Sequence, residues 1–157
     1  MKRITYIRKI PIMKLIFGLA LLIFSIILLK EDIKSLILCG IAVYFLLTEG
    51  TEFDFENDRY RPIKSILGIN LGTWKPLPKI EYISVFRTNE TTTVRARSAE
   101  TNVTNEIIKL NLFYNTNRKI EAYSTKDIED AFKKAHELAP LFNVDILDAT
   151  ERESKWL

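Results

Sequence analysis

Between Ile10 and Thr48 the chain is apolar almost without interruption. Beyond Thr51 apolar and polar residues alternate, and from Ile128 to Phe142 the apolar positions recur at helical spacing. Those three regimes predict, in order, a helical hairpin, a β-rich stretch and one amphipathic helix. Leu15–Leu29, LIFGLALLIFSIILL, carries no charge and extends back to Ile10 past only Lys14 and Pro11. At about 1.5 Å per residue this stretch reaches roughly 30 Å, the thickness of a hydrocarbon core. After the polar break Lys30-Glu31-Asp32, the run SLILCGIAVYFLLT from Ser35 to Thr48 is again uncharged. It gives about 21 Å of helix, which Lys34 extends by snorkelling.

The expectation is a pair of transmembrane helices, 10–29 and 35–48, with a short N-terminal segment 1–9 before them and a tip 30–34 between them. A hairpin that enters a bilayer without fully crossing it stands as an alternative for the second segment. A helix packed in a water-soluble fold keeps a polar face, and neither segment has one. A cleaved signal peptide is disfavoured, because Lys-Glu-Asp and more apolar chain follow Leu29 in place of a small-residue cleavage site. Gly18 and Ser25 lie on one face of the first segment, and Ser35, Cys39 and Ala42 on one face of the second. In a hairpin folded about Asp32 these small residues are candidates for the helix-packing seam, with Gly18 level with Tyr44–Phe45.

Charge changes the picture by its distribution. Residues 1–48 carry a net charge of +5 and the remainder −2, within a total of +3. The basic excess flanks the apolar run, so it argues for orientation in a bilayer and not for nucleic acid, which needs a basic face on a folded domain. By the positive-inside tendency both termini face the cytoplasm, which implies a multi-pass protein of the cell inner membrane. The one cysteine, Cys39, excludes an internal disulfide and a cysteine zinc cluster.

Beyond the hairpin, Glu49-Gly50-Thr51 reads as a hinge. Glu52–Glu56 is strict period two, with Phe53 and Phe55 on one face. Asn57-Asp58 is a turn pair, and Arg59–Leu67 a second strand with Pro62 at an edge or bulge. Gly68 and Gly72 bracket a third piece ending at Trp74, and Lys75-Pro76-Leu77-Pro78 is an extended connector. Further strands follow at Ile80–Arg87, Thr93–Ser98, Ile107–Tyr114 and Ile120–Ser124, with turns at Asn89–Thr92, Glu100–Asn105 and Asn115–Arg118. The helix opens on a Ser124/Asp127 capping box and closes at Asn143. A domain 51–143 and a tail 144–157, with a brief strand around Asp145–Leu147, complete the reading.

Seven antiparallel strands closed by one C-terminal helix, carried by GTEFDFENDRY (50–60), GTWKPLP (72–78), IEYISVF (80–86) and the final helix, resemble the pleckstrin-homology superfold. More narrowly, the chain resembles bacterial PH-like domains that follow two N-terminal membrane helices. The resemblance implies a seven-stranded sandwich or barrel capped by a helix, and a binding or scaffolding role without enzymatic activity. It carries no phosphoinositide site here, since the first strand turn, Glu56-Asn57-Asp58-Arg59, is short and partly acidic.

The residues offer little for catalysis. His136 is the only histidine and reads as a surface residue, and no glycine-rich phosphate loop is present. Glu52, Asp54, Glu56 and Asp58 read as a solvated face, with Arg59 and Arg61 available to pair with them or to touch anionic headgroups. Arg95 and Arg97, with Arg87, form a candidate basic strip or a charged strand edge. Trp74 reads as core or as an interface anchor. The expected function is therefore a non-enzymatic, membrane-anchored binding module without cofactor or metal, whose partners are the lipid bilayer and an unidentified protein. The alternative is an accessory subunit of a membrane complex that uses the hairpin as its interface.

Overall fold

The computed structural model describes residues 3–96, 99–151 and 153–157, with residues 92–96 and 99–103 described by backbone alone. The chain divides into two compact units, Met1–Pro76 and Leu77–Leu157.

The first unit is a sheet with a helical hairpin rising from one end. β1 (Arg3–Ile7), β2 (Thr48–Asp54), β3 (Arg59–Ile66) and β4 (Ile69–Leu71) lie side by side in that order, and β5 (Lys75–Pro76) joins β3. All pairings are antiparallel. Between β1 and β2 the chain forms α1 (Ile12–Leu28), a single 3-10 turn at Ile33–Ser35, and α2 (Leu36–Leu46). At Gly50 the β1 backbone leaves no room for a side chain: a Cβ there would fall on the carbonyl oxygen of Tyr6. Phe53, Tyr6 and Ile63 are buried in this unit.

The expected transmembrane hairpin is overturned. α1 has 17 residues and α2 has 11, about 26 Å and 17 Å of helix against a core of about 30 Å. Among the described residues no helix is long and apolar enough to cross a membrane. The multi-pass inner-membrane placement with both termini cytoplasmic therefore has no support. The physical reason lies at the helix ends. Pro11 takes an extended conformation, φ −56° and ψ 133°, and starts the helix at Ile12, leaving Ile10 outside. Leu47 is also extended, so Leu47 and Thr48 leave α2 for the sheet. Glu49-Gly50-Thr51, expected as a hinge, is the middle of β2, and Arg3–Ile7, expected as a loose N-terminal segment, is a paired strand.

In the second unit, β6 (Tyr82–Ala96), β7 (Ala99–Tyr114) and β8 (Arg118–Thr125) form an antiparallel meander. α3 (Ile128–Phe142) then crosses to β9 (Ile146–Ala149), which runs parallel to β6, and β10 (Lys155–Trp156) forms the edge. Ala131, Ala135 and Leu138 of α3 are buried, as are Ile83, Val85, Leu110 and Leu112 of the strands. The Asp127 side chain caps α3 by accepting from the Glu129 and Asp130 amides, so the cap is Asp127 and not Ser124; Asn143, at φ 54°, ends the helix in the left-handed conformation. Beyond Arg87 and Ile108, β6 and β7 continue as a two-stranded arm that no third described strand joins.

The expected single seven-stranded sandwich or barrel with a capping helix is also overturned. Two five-stranded sheets take its place, and one strand of the second is parallel. The expected domain 51–143 is divided between the units. The polar stretches Asn89–Thr92 and Glu100–Asn105, read as turns, are continuous strand, because each is paired residue for residue with the other side of the arm.

Candidate functional site

The hairpin folds on its small residues. Gly18, Ser25, Ser35 and Ala42 are buried, Cys39 is half-buried, and Leu46 closes the seam from α2. A Cβ at Gly18 would meet Leu46 Cδ2 at 2.9 Å and Phe45 Cβ at 3.3 Å. Phe17 packs edge-on against Phe45, with centroids 5.3 Å apart. Ser25 Oγ donates to the Leu22 carbonyl, and Ser35 Oγ to that of Asp32, so neither hydroxyl is left unmatched inside the seam.

The outward halves of both helices are bare. Fifteen large apolar side chains between Ile12 and Tyr44 are exposed, among them Phe17 and Phe24 on α1 and Ile37 and Tyr44 on α2. Each helix exposes the half turned away from its partner, so the hairpin is apolar on two opposite sides at once. Patches of this extent mark an interaction surface. Charged residues gather at its two ends: exposed Lys9 and half-buried Lys14 at the base, and exposed Lys30, Glu31, Asp32 and Lys34 at the tip.

The apolar surface has a second part in the same unit. Thr48 pairs with Ser65, and its Oγ1 donates to the Arg8 carbonyl at 2.8 Å. The β3–β4 turn therefore stands at the end of the sheet from which the hairpin emerges. Leu67 in that turn, and Ile69 and Leu71 in β4 beside it, are 62%, 66% and 57% exposed.

At the other end of the sheet, charge is gathered and covered. Register places Arg3, Asp54 and Arg59 in one row and Glu52 with Arg61 in the next but one, all on one face. Asp54 Oδ2 accepts from Asn57 at 2.9 Å and from Arg59 Nε at 3.0 Å, and lies 3.4 Å from Arg3 Nη2. The Asn57 hydrogen bond, with Arg59 and Arg3, holds the carboxyl below its ordinary value against the opposing effect of burial. Trp74 lies across the arginines, with Arg59 and Arg61 Cζ each 4.5 Å from its ring centroid and Arg3 at 5.8 Å. Glu52 and Asp54, expected on a solvated face, are thus buried, because three guanidinium groups and an indole cover them.

Arg59, Arg61 and Trp74 are brought together in this cluster. Arg95 is described by backbone alone, within β6, and Arg97 lies outside the described residues. His136 is exposed on α3. Among the described residues no group of three His, Cys, Asp or Glu side chains is placed to hold a metal. A cleft of about 290 Å³ at the C-terminal end of α3 is lined by Glu81, Pro140, Asn143 and Asp145 among others; the Glu81 carboxylate accepts the Thr116 amide at 3.2 Å. Sequence reasoning missed Arg3, which needed the β1–β2 pairing, and Leu67 with its neighbour Ile69, whose signal was an apolar residue before Gly68 where asparagine is usual. No family model, curated protein or solved structure matches this chain.

Proposed function

We propose that the chain is a non-enzymatic binding module that associates with one side of a lipid layer through its hairpin. The observation that carries this reading is the exposure of large apolar side chains on opposite sides of α1 and α2. A flat protein surface covers one such side; hydrocarbon covers both. Neither helix needs to cross. Lying in the plane of one leaflet, the hairpin turns both of its exposed apolar sides to acyl chains, which helices without a polar face require. Lysines at both ends then reach up to the headgroups. The net charge of +5 on residues 1–48 favours anionic lipid by about 1 kcal/mol for each basic residue near the surface. The arginine–tryptophan cluster supports the sheet that carries the hairpin.

The test is flotation of the purified full-length chain with vesicles of phosphatidylcholine, with and without phosphatidylglycerol. The chain should float with both, more with the anionic ones, and a Phe24→Asp/Ile37→Asp variant should stay at the bottom. A chain that stays at the bottom with every vesicle overturns the reading and assigns the hairpin to the interior of a protein assembly.

A further inference from the structure

Leu67 and Gly68 form the two-residue turn between β3 and β4: Ile66 pairs with Ile69 across it. Both turn residues have positive φ, 48° at Leu67 and 91° at Gly68. That is the pattern of a type I′ hairpin turn, in which asparagine-glycine is preferred. A left-handed conformation strains a leucine, since its Cβ crowds the following carbonyl. Burial returns little of that strain, because Leu67 is 62% exposed. Ile69 and Leu71 beside it are equally bare, and Lys64, cross-strand partner of Leu71, is exposed. A strained apolar residue at the tip of an exposed apolar turn is a cost to the folded chain, and such costs collect at contact sites.

We infer that Leu67, Ile69 and Leu71 form a second lipid-contacting element, which inserts beside the base of the hairpin and sets the tilt of the sheet on the lipid layer. The inference rests on the lipid reading above. Its own support is separate: backbone strain at Leu67, and the shared end of the sheet fixed by the Thr48–Ser65 register. At that end exposed Lys9 and Lys64 outnumber Glu49, the exposed cross-strand partner of Lys64, and this basic excess suits an anionic headgroup layer, which chooses lipid over an apolar protein groove.

The experiment uses the full-length chain with Leu67→Asn/Ile69→Asn, vesicles of phosphatidylcholine and phosphatidylglycerol, and two readouts. Partition into vesicles should weaken about tenfold, from the lost apolar burial. The melting midpoint without lipid should hold or rise by about 2–4 °C, because asparagine relieves the turn. In a Cys39→Ser background, an environment-sensitive dye on Ile69→Cys should shift to the blue when vesicles are added. If the parent chain floats but the turn variant floats equally and the dye stays in water, the inference fails while the lipid reading stands. If the parent chain does not float, both fail.

Discussion

The Arg61 guanidinium donates through both Nε and Nη2 to a single oxygen of Glu52, each at 2.8 Å. The two residues face each other across β2 and β3, and the guanidinium carbon lies over the Trp74 ring. Hydrogen bonds to charged groups contribute about 1.5–3 kcal/mol. Glu52→Gln should cost stability at the low end of that range, since Arg61 keeps a fifth of its side chain in water. Arg61→Met should cost more, because it strands the Glu52 carboxylate. Urea unfolding of both single variants and the double gives the coupling, which should exceed about 0.5 kcal/mol. Additive effects would show that the pair is not acting as a unit.

Asp54 gives the first unit a defined acid response. Its carboxyl is held below the ordinary value of 3.8, chiefly by Asn57 and then by Arg59 and Arg3. A lowered folded value means the stabilisation is complete above the unfolded value and is lost as the pH falls through the folded one. The parent chain should therefore lose stability below pH 3.8. Asp54→Asn should be less stable at neutral pH and show a shallower acid limb. A circular dichroism titration in which the two acid limbs coincide would count against the cluster as described.

Gly50 tests the β1–β2 pairing. Its missing Cβ leaves room for the Tyr6 carbonyl, and a backbone atom cannot swing aside as a side chain can. Gly50→Ala should destabilise by about 1–3 kcal/mol. Gly40, which has nothing within 4 Å of a Cβ position, is the control, and Gly40→Ala should hold or gain stability by helix propensity. Hydrogen exchange of the Arg8 amide, which donates to Glu49 at 2.9 Å, should accelerate in the first variant and not in the second.

One-sided seating of the hairpin makes a labelling prediction. In a Cys39→Ser background, Asp32→Cys at the tip and Lys9→Cys at the base should both react with a membrane-impermeant maleimide added outside preformed vesicles. Protection of the tip position alone would overturn one-sided seating.

The second unit rests on its own core. Leu138 is fully buried under α3, so Leu138→Ala should cost about 2–5 kcal/mol. Asp127→Ala, which removes the helix cap, should cost about 1 kcal/mol. Denaturant midpoints rank the two directly.

Short-range features were legible in the residues. The helical spacing of Gly18 and Ser25, with a turn near Asp32, is enough to set Gly18 level with Phe45. The stripe Ile128–Phe142 and the left-handed Asn143 follow from local periodicity and end chemistry. The alternation Glu52-Phe53-Asp54-Phe55 showed two faces but not which was covered. Its cover comes from Arg3, forty-five or more positions upstream across the hairpin, and from Trp74, which reaches the arginines only when β5 pairs with β3. The threonine-rich arm looked like turns because its residues are polar, yet strand identity there depends on what each backbone amide pairs with.

By itself, then, the amino-acid order determined an apolar hairpin with no polar side, a β-rich remainder and one amphipathic helix, since side-chain periodicity needs only a few neighbouring residues to be expressed. Tertiary structure decided that Pro11 and Leu47 cut the helices short, that the ends of the hairpin are strands of one sheet, and that two carboxylates are sealed beneath three arginines and Trp74. Those outcomes turn on backbone hydrogen bonds and burial between residues distant in the chain, and such partners are chosen only when the whole unit folds.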